Sequence, residues 1–325
     1  MSEATDTTDT QWMSRDPDTI PLDQLDLINP QLFHHDYHVK IFQRPRRESP
    51  VHLQKDHEEV GSFWNVTRYE DIMAVDTNHD SFSSDGSITA VDPDEEFPLP
   101  MFIAMDPPKH DQQRKEVSSA VQPSNLAKME STIRQRVCDI LDSLPRGEEF
   151  NWVDLVSIEL TTQMLATLFD FPFEDRRKLT RWSDVATADE HSGIIESEDQ
   201  RRAELYECLE YFTGLWNERV NEPPRGDLIS MLAHGESTKN MDPVEYLGNL
   251  VLLIVGGNDT TRNSISGGIK FLNENPTEYQ KLRDNHGLIP NMVPEIIRYQ
   301  TPLAYMRRTA SKDSCLLYTS PSPRD

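Results

Sequence analysis

The stretch from Met241 to Glu274 constrains the fold of this chain more than any other. Met241-Asp-Pro-Val-Glu245 carries a helix start. Asp242 is a capping residue, Pro243 suits the first helical position, and Glu245 completes a capping box. The run that follows, Leu247-Gly-Asn-Leu-Val-Leu-Leu-Ile-Val-Gly-Gly-Asn-Asp-Thr-Thr261, keeps helical character to Glu274, a rod of about 48 Å at a rise of 1.5 Å per residue. Its first half is apolar almost all round, so the helix is expected to run through the interior rather than over it.

Gly256-Gly257 removes two Cβ atoms from the middle of that helix, at a cost of up to about 1 kcal/mol each relative to alanine, so something approaches the backbone there. Asn258, Asp259, Thr260 and Thr261 then place four polar residues in an apolar interior, where each needs a partner or a purpose. A carboxylate beside a hydroxyl at a helix distortion can hold water and relay protons. A plainer reading fits the same residues: paired glycines let helices pack closely, and threonine can bond back to the carbonyl four residues earlier.

The remaining chain sets the context. Its 325 residues allow one large domain or two ordinary ones. With 32 basic and 56 acidic residues, the net charge of −24 repels phosphate backbones and anionic headgroups, so no nucleic acid or membrane partner is expected. Cys138, Cys208 and Cys315 show no paired or metal-ligand spacing, which suits a reducing compartment. The N-terminus lacks the basic start and apolar core of a secretory signal, and no stretch approaches the ~20 apolar residues of a membrane span. A soluble, cytoplasmic, monomeric protein is expected.

Residues 1–20, polar and without periodicity, read as a disordered arm. Val51–Leu53 and Ser62–Thr67 alternate apolar and polar residues around the breaker Gly61 and predict a small β-hairpin. Arg68–Thr77 reads as helix and 85–100 as a long loop. From Pro107 onward helix dominates. Trp152, Val153, Val156, Leu160, Met164, Leu165, Leu168 and Phe169 recur at spacings of three and four and predict a core helix stopped at Pro172. A further helix is expected from Asp199 to Asn221, and the charged stretch 171–198 between them is expected at the surface. His34 and His38 have no third ligand nearby and read as a surface cluster. One mainly α domain over 21–312, with a small β-region, is the expected architecture.

Two further patterns frame the long helix. Glu295 and Arg298 in Pro294-Glu-Ile-Ile-Arg-Tyr-Gln300 share a helical face and can pair, a commonplace surface feature when taken alone. Upstream, Met105-Asp-Pro-Pro-Lys-His-Asp-Gln-Gln-Arg114 places His110 and Arg114 four apart near a helix start, so both can reach one anionic group.

Gly256-Gly-Asn-Asp-Thr-Thr261 closely resembles the central-helix signature of the cytochrome P-450 enzymes, and the other patterns occur in that family's order, over about residues 25–312. The resemblance implies the cytochrome P-450 fold and haem-dependent insertion of one atom of O2 into a C–H bond. It implies that Asp259 and Thr260 deliver protons and that Gly256 and Gly257 make room over the haem. His110, Arg114 and Arg307 would meet the haem propionates, Glu295 and Arg298 would be structural, and Leu303, Ala304, Tyr305 and Met306 would border the substrate. Phe63-Trp-Asn-Val-Thr-Arg-Tyr69, Met105–His110 and Ile254–Asn263 look most like the soluble bacterial group that hydroxylates terminal carbons of medium-chain alkanes and fatty acids. Enzymes of that kind take electrons from NAD(P)H through a ferredoxin reductase and a ferredoxin.

The chain departs from the family at its end. The family's Phe-x-x-Gly-x-x-x-Cys-x-Gly loop, which supplies the iron's thiolate, is missing, and neither phenylalanine nor glycine frames Cys315. The expected fold lacks that loop and the last helix, so no metal ligand is assigned and the chain as written is expected to be inactive. Residues 313–325 read as a non-family tail from an incomplete or misassembled reading frame. A terpene cyclase would need an aspartate-rich D-D-x-x-D motif, which is absent. A non-catalytic helical ligand-binding or scaffold protein is the alternative.

Overall fold

The computed structural model describes residues 16–188 and 192–316, which divide into a smaller unit, up to Pro93 and again from Ala304, and a larger one, Asp94–Leu303. In the smaller unit, Asn29 caps α1 (Pro30–His34) by accepting from the Gln31 amide. α2 (His38–Glu48) follows, then the antiparallel hairpin of β1 (Val51–His57) and β2 (Gly61–Val66), with Val51 opposite Val66 and Leu53 opposite Trp64. Gly61 takes φ +74° where the chain turns, a conformation that glycine adopts without strain. After α3 (Tyr69–Asp76), β3 (Phe82–Ser83) pairs antiparallel with β4 (Thr309–Ala310).

Ile20, Leu25, Leu27, Leu32 and Ile41 form this unit's core. Arg44 of α2 donates to the carbonyls of Pro17 and Ile20. The expected arm over residues 1–20 is therefore corrected at its inner end, because Pro17–Ile20 are held by packing and hydrogen bonds. The rest of that stretch, residues 1–15, lies outside the described residues, as do residues 317–325 of the expected tail.

The larger unit is helical: α4 (Lys109–Ser118), α5 (Pro123–Ser143), a π-helical stretch Val153–Ile158 running into α6 (Glu159–Phe169), α7 (Arg177–Thr187), α8 (Glu198–Arg219), α9 (Leu228–His234), α10 (Pro243–Glu274), α11 (Pro276–Asp284) and α12 (Ile289–Gln300). α10 has the 32 residues the sequence predicts. Leu247, Leu250 and Ile254 on it are at most 1% exposed, and each such side chain contributes about 1.5–3 kcal/mol through burial. Phe169, Phe171, Trp182, Tyr211 and Phe212 close the core beside it, with Phe171 stacked on Tyr211 at 4.9 Å and Phe169 edge-on to Phe212 at 5.4 Å.

Three local expectations are corrected. Asp242 caps α10 through the amides of Val244 and Glu245 at 2.9 and 3.0 Å, but Glu245 does not close the box. Its buried carboxylate is taken by Lys109 at 2.8 Å and by the amide of Gln113, both on α4. The core helix over 152–169 opens with the π-turn, which rotates Val153 to solvent and brings Thr161 and Thr162 inside with Leu165 and Phe169. The stretch 171–198 is not simply surface: Leu179, Trp182 and Val185 of α7 are at most 2% exposed, at the three-residue spacing that charged neighbours obscure.

α12 has no buried side chain. Ile289, Val293 and Ile297, four apart, form a stripe 44–48% exposed to solvent. Among the described residues, no helix is long and apolar enough to cross a membrane.

Candidate active site

The middle of α10 presents successive residues to different neighbours, as a rotation of 100° per residue requires. Gly256 faces open space, and nothing stands within 4 Å of where a Cβ would lie. Gly257 faces α6, where a Cβ would lie 2.6 Å from a Leu165 methyl, so close helix packing occupies this glycine. Asn258, fully buried, accepts from Thr161 at 2.8 Å while its amide nitrogen finds no partner.

Asp259 turns toward α7. It accepts from Arg262 at 2.7 Å, and the same guanidinium donates to Asp184 of α7 at 3.0 Å. Burial pushes the Asp259 carboxyl above the usual aspartate range, Arg262 works against that, and the Asp184 charge adds to it. The buried Ser183 hydroxyl lies close enough to Asp259 to favour its charged form and has no other hydrogen-bond partner among the described residues.

Thr260 points elsewhere. Its hydroxyl donates to the Gly256 carbonyl at 2.9 Å, the back-bond open to it from sequence. Thr260 and Thr261 line an open-sided, largely apolar cavity of about 430 Å³ with Trp152, Ile265, Val293 and Ile296. Asp259 and Thr260 are thus neighbours in the chain with different surroundings, a charged one against α7 and an apolar one beside α12.

Upstream, His110 bonds the Phe102 carbonyl through Nδ1 at 2.7 Å, and Asn249 of α10 accepts from the Phe102 amide at 2.9 Å. α4 and the loop before it are thereby tied to α10. Arg114 is exposed, with no hydrogen bond or ion pair to any described residue. Glu295 and Arg298 pair at 2.6 Å, both more than 60% exposed. In the smaller unit, Arg307 is engaged by Asp92 at 2.6 Å and the Ala90 carbonyl at 3.1 Å. Leu303 is exposed, as are Tyr305 and Met306 in the smaller unit, where Tyr305 packs on Phe33 at 6.1 Å. Asp184, Ser183, Thr161 and Arg262 are site residues that the sequence does not mark as such. Only Arg262, three residues after Asp259, carried a local signal.

No family model matches the chain. Its sequence is 32% identical over 307 residues to a linalool 8-monooxygenase of Pseudomonas putida, covering 90% of this chain and 75% of that protein. A solved cytochrome P450-153 from Novosphingobium aromaticivorans is 46% identical with a TM-score of 0.83, covering 90% of this chain and 74% of its own. CYP153D17 from a Sphingomonas species is 47% identical with a TM-score of 0.82, over 89% and 73%. With the capped α10 and its Gly-Gly-Asn-Asp-Thr-Thr centre, these likenesses over nearly the whole chain place it in the cytochrome P450 family of haem-dependent monooxygenases, close to the bacterial P450-153 type.

Proposed function

We propose that the protein inserts one atom of O2 into a C–H bond at the end of a medium-chain alkane or fatty acid. The observation that carries this reading is the open space at Gly256 on the face of α10 shared with Asp259, in a chain 46–47% identical to two P450-153-type structures. A relative named methyl-branched lipid omega-hydroxylase, from Mycobacterium tuberculosis and 28% identical over 312 residues, supports oxidation at a chain end.

Haem, when bound, supplies the iron at which oxygen is activated, with electrons from NAD(P)H through a ferredoxin reductase and a ferredoxin. On the α4 side this chain's residues fit it. Arg114, without a partner among the described residues, suits a propionate, and His110 is held nearby on the same helix through Nδ1. The thiolate side does not fit. Cys138 is exposed on α5, Cys208 is sealed in the buried face of α8 with its thiol pushed up by burial, and Cys315 is exposed in the smaller unit. The thiolate would come from polypeptide beyond the matched region of the relatives, this chain spanning about three quarters of their length.

The test is a chimera in which the C-terminal quarter of the Novosphingobium protein follows Ser311. The chain alone should give no carbon-monoxide difference band of a thiolate-bound haem. The chimera should give it and, with ferredoxin, reductase and NADH, convert octane or decanoate to terminally hydroxylated product. A chimera without the band sinks the haem reading; the band without terminal hydroxylation sinks the substrate reading.

A further inference from the structure

One guanidinium serves two carboxylates across the contact between α7 and α10. Arg262 Nη1 donates to Asp184 Oδ1 at 3.0 Å and its Nη2 to Asp259 Oδ1 at 2.7 Å, and the three side chains are only 17, 30 and 16% exposed. A half-buried 1:2 ratio of cation to anion leaves one negative charge without a hydrogen-bonded counter-ion of its own. Of two buried hydroxyls on the same helix as Asp184, that of Thr180 has no partner among the described residues and that of Ser183 has only Asp259 nearby. That unmet hydrogen-bonding capacity beside the charges can hold water.

We infer that Asp184 is a positioning residue for Asp259: by drawing Arg262 toward α7 it keeps Asp259 oriented but incompletely neutralised, able to take up and release a proton. Gly256, three residues before Asp259, lies on the same face of α10 and leaves open space there. A carboxylate neutralised fully by its own arginine would hold no proton at working pH, and one with no arginine would swing free. Asp184 sets the balance between these limits.

The groups facing the trio have their own partners. Arg181, one turn before Asp184 and the nearest other cation on α7, is hydrogen-bonded to Glu204 of α8 at 2.7 Å and reaches Asp184 only through its charge. α6 presents the uncharged Thr161, to Asn258. Ser183 is the remaining polar neighbour of Asp259. The inference rests on the reading that Asp259 handles the reaction's proton, and it concerns residues that the reading leaves without a role.

The experiment uses the chain as given and needs no haem. Carboxyl carbons of 13C-aspartate-labelled protein are titrated by NMR, with Asp259 assigned by the resonance lost in Asp259→Asn. Asp184→Asn should lower the Asp259 midpoint, because Arg262 is then its alone, while Arg262→Gln should raise it. A purely structural Asp184 would change stability and leave the midpoint in place, and that result overturns the inference. Should Arg262→Gln fail to fold, Arg262→Lys replaces it. Lysine keeps the charge but reaches less far and lacks the planar guanidinium that sets one nitrogen on each carboxylate, so in that background Asp184→Asn should move Asp259 less than in the parent chain, and an equal movement counts against the inference. An unmoved midpoint leaves the proposed oxidation standing, and failure of the chimera leaves the titration result standing.

Discussion

Gly248 and Pro100 meet backbone to backbone: a Cβ on residue 248 would overlap the Pro100 carbonyl oxygen. The loop leading to α4 can lie against α10 only because residue 248 has no side chain. Gly248→Ala should therefore destabilise the protein, since about 1–3 kcal/mol of overpacking strain outweighs the ~1 kcal/mol that alanine gains in a helix. Gly256→Ala, facing open space, should be neutral or stabilising by up to that same ~1 kcal/mol. Urea unfolding of the two variants measures both, and equal midpoints would contradict the close approach.

Asn249 fastens the same loop. Fully buried, it accepts from the Phe102 amide at 2.9 Å and donates to Gln113 at 3.3 Å. Asn249→Leu leaves two buried groups unsatisfied and should cost about 2–5 kcal/mol. Hydrogen exchange should show the amides of residues 102–113 losing protection before those of α8.

Arg114 should behave in the opposite way. Arg114→Gln should leave the stability of the chain within about 0.5 kcal/mol, because it breaks no contact among the described residues. In the haem-binding chimera it should weaken haem retention by roughly 10- to 100-fold, the worth of one hydrogen bond to a charged group. Haem transfer to apomyoglobin reads the loss.

Acid stability has a local cause at Glu204. The hydrogen bond from Arg181 holds its carboxyl below the ordinary value of 4.5, burial opposes this, and Gln200 assists. A carboxyl lowered on folding contributes stability that is present above its unfolded value and lost as pH falls through the folded one. Glu204→Gln should thus lower the melting temperature at neutral pH by an amount corresponding to no more than about 1 kcal/mol, as the pair is partly exposed. The difference from the parent should shrink below pH 4.5. A difference constant down to pH 3 would refute the assignment.

Legibility from sequence followed how local each determinant is. α10 was legible in the sequence because its cap, its first-turn proline and a long, mostly apolar run are contiguous. α7 hid because Arg177, Lys178, Arg181 and Asp184 break up the stripe of Leu179, Trp182 and Val185, and only packing shows which set faces inward. The π-turn at Val153–Ile158 was invisible because spacings of three and four do not register one extra residue per turn. At the site, the polar run Asn258–Thr261 stood out as anomalous in an apolar helix, but its separation into an α6-facing amide, an α7-facing carboxylate and a cavity-lining threonine depends on neighbours far away in sequence. Glu245 illustrates the same limit: a local partner was in reach, and the long-range Lys109 and Gln113 took it.

The uncovered stripe of Ile289, Val293 and Ile297 sets how a cell would treat this polypeptide. Chaperones and proteases sort their clients by exposed aliphatic surface, and a finished helix wearing three such residues presents the same signal as a chain still folding. The abundance of the protein in vivo would then be governed by how fast that stripe is covered, and the acidic surface that keeps molecules apart in solution would give it no shelter from triage.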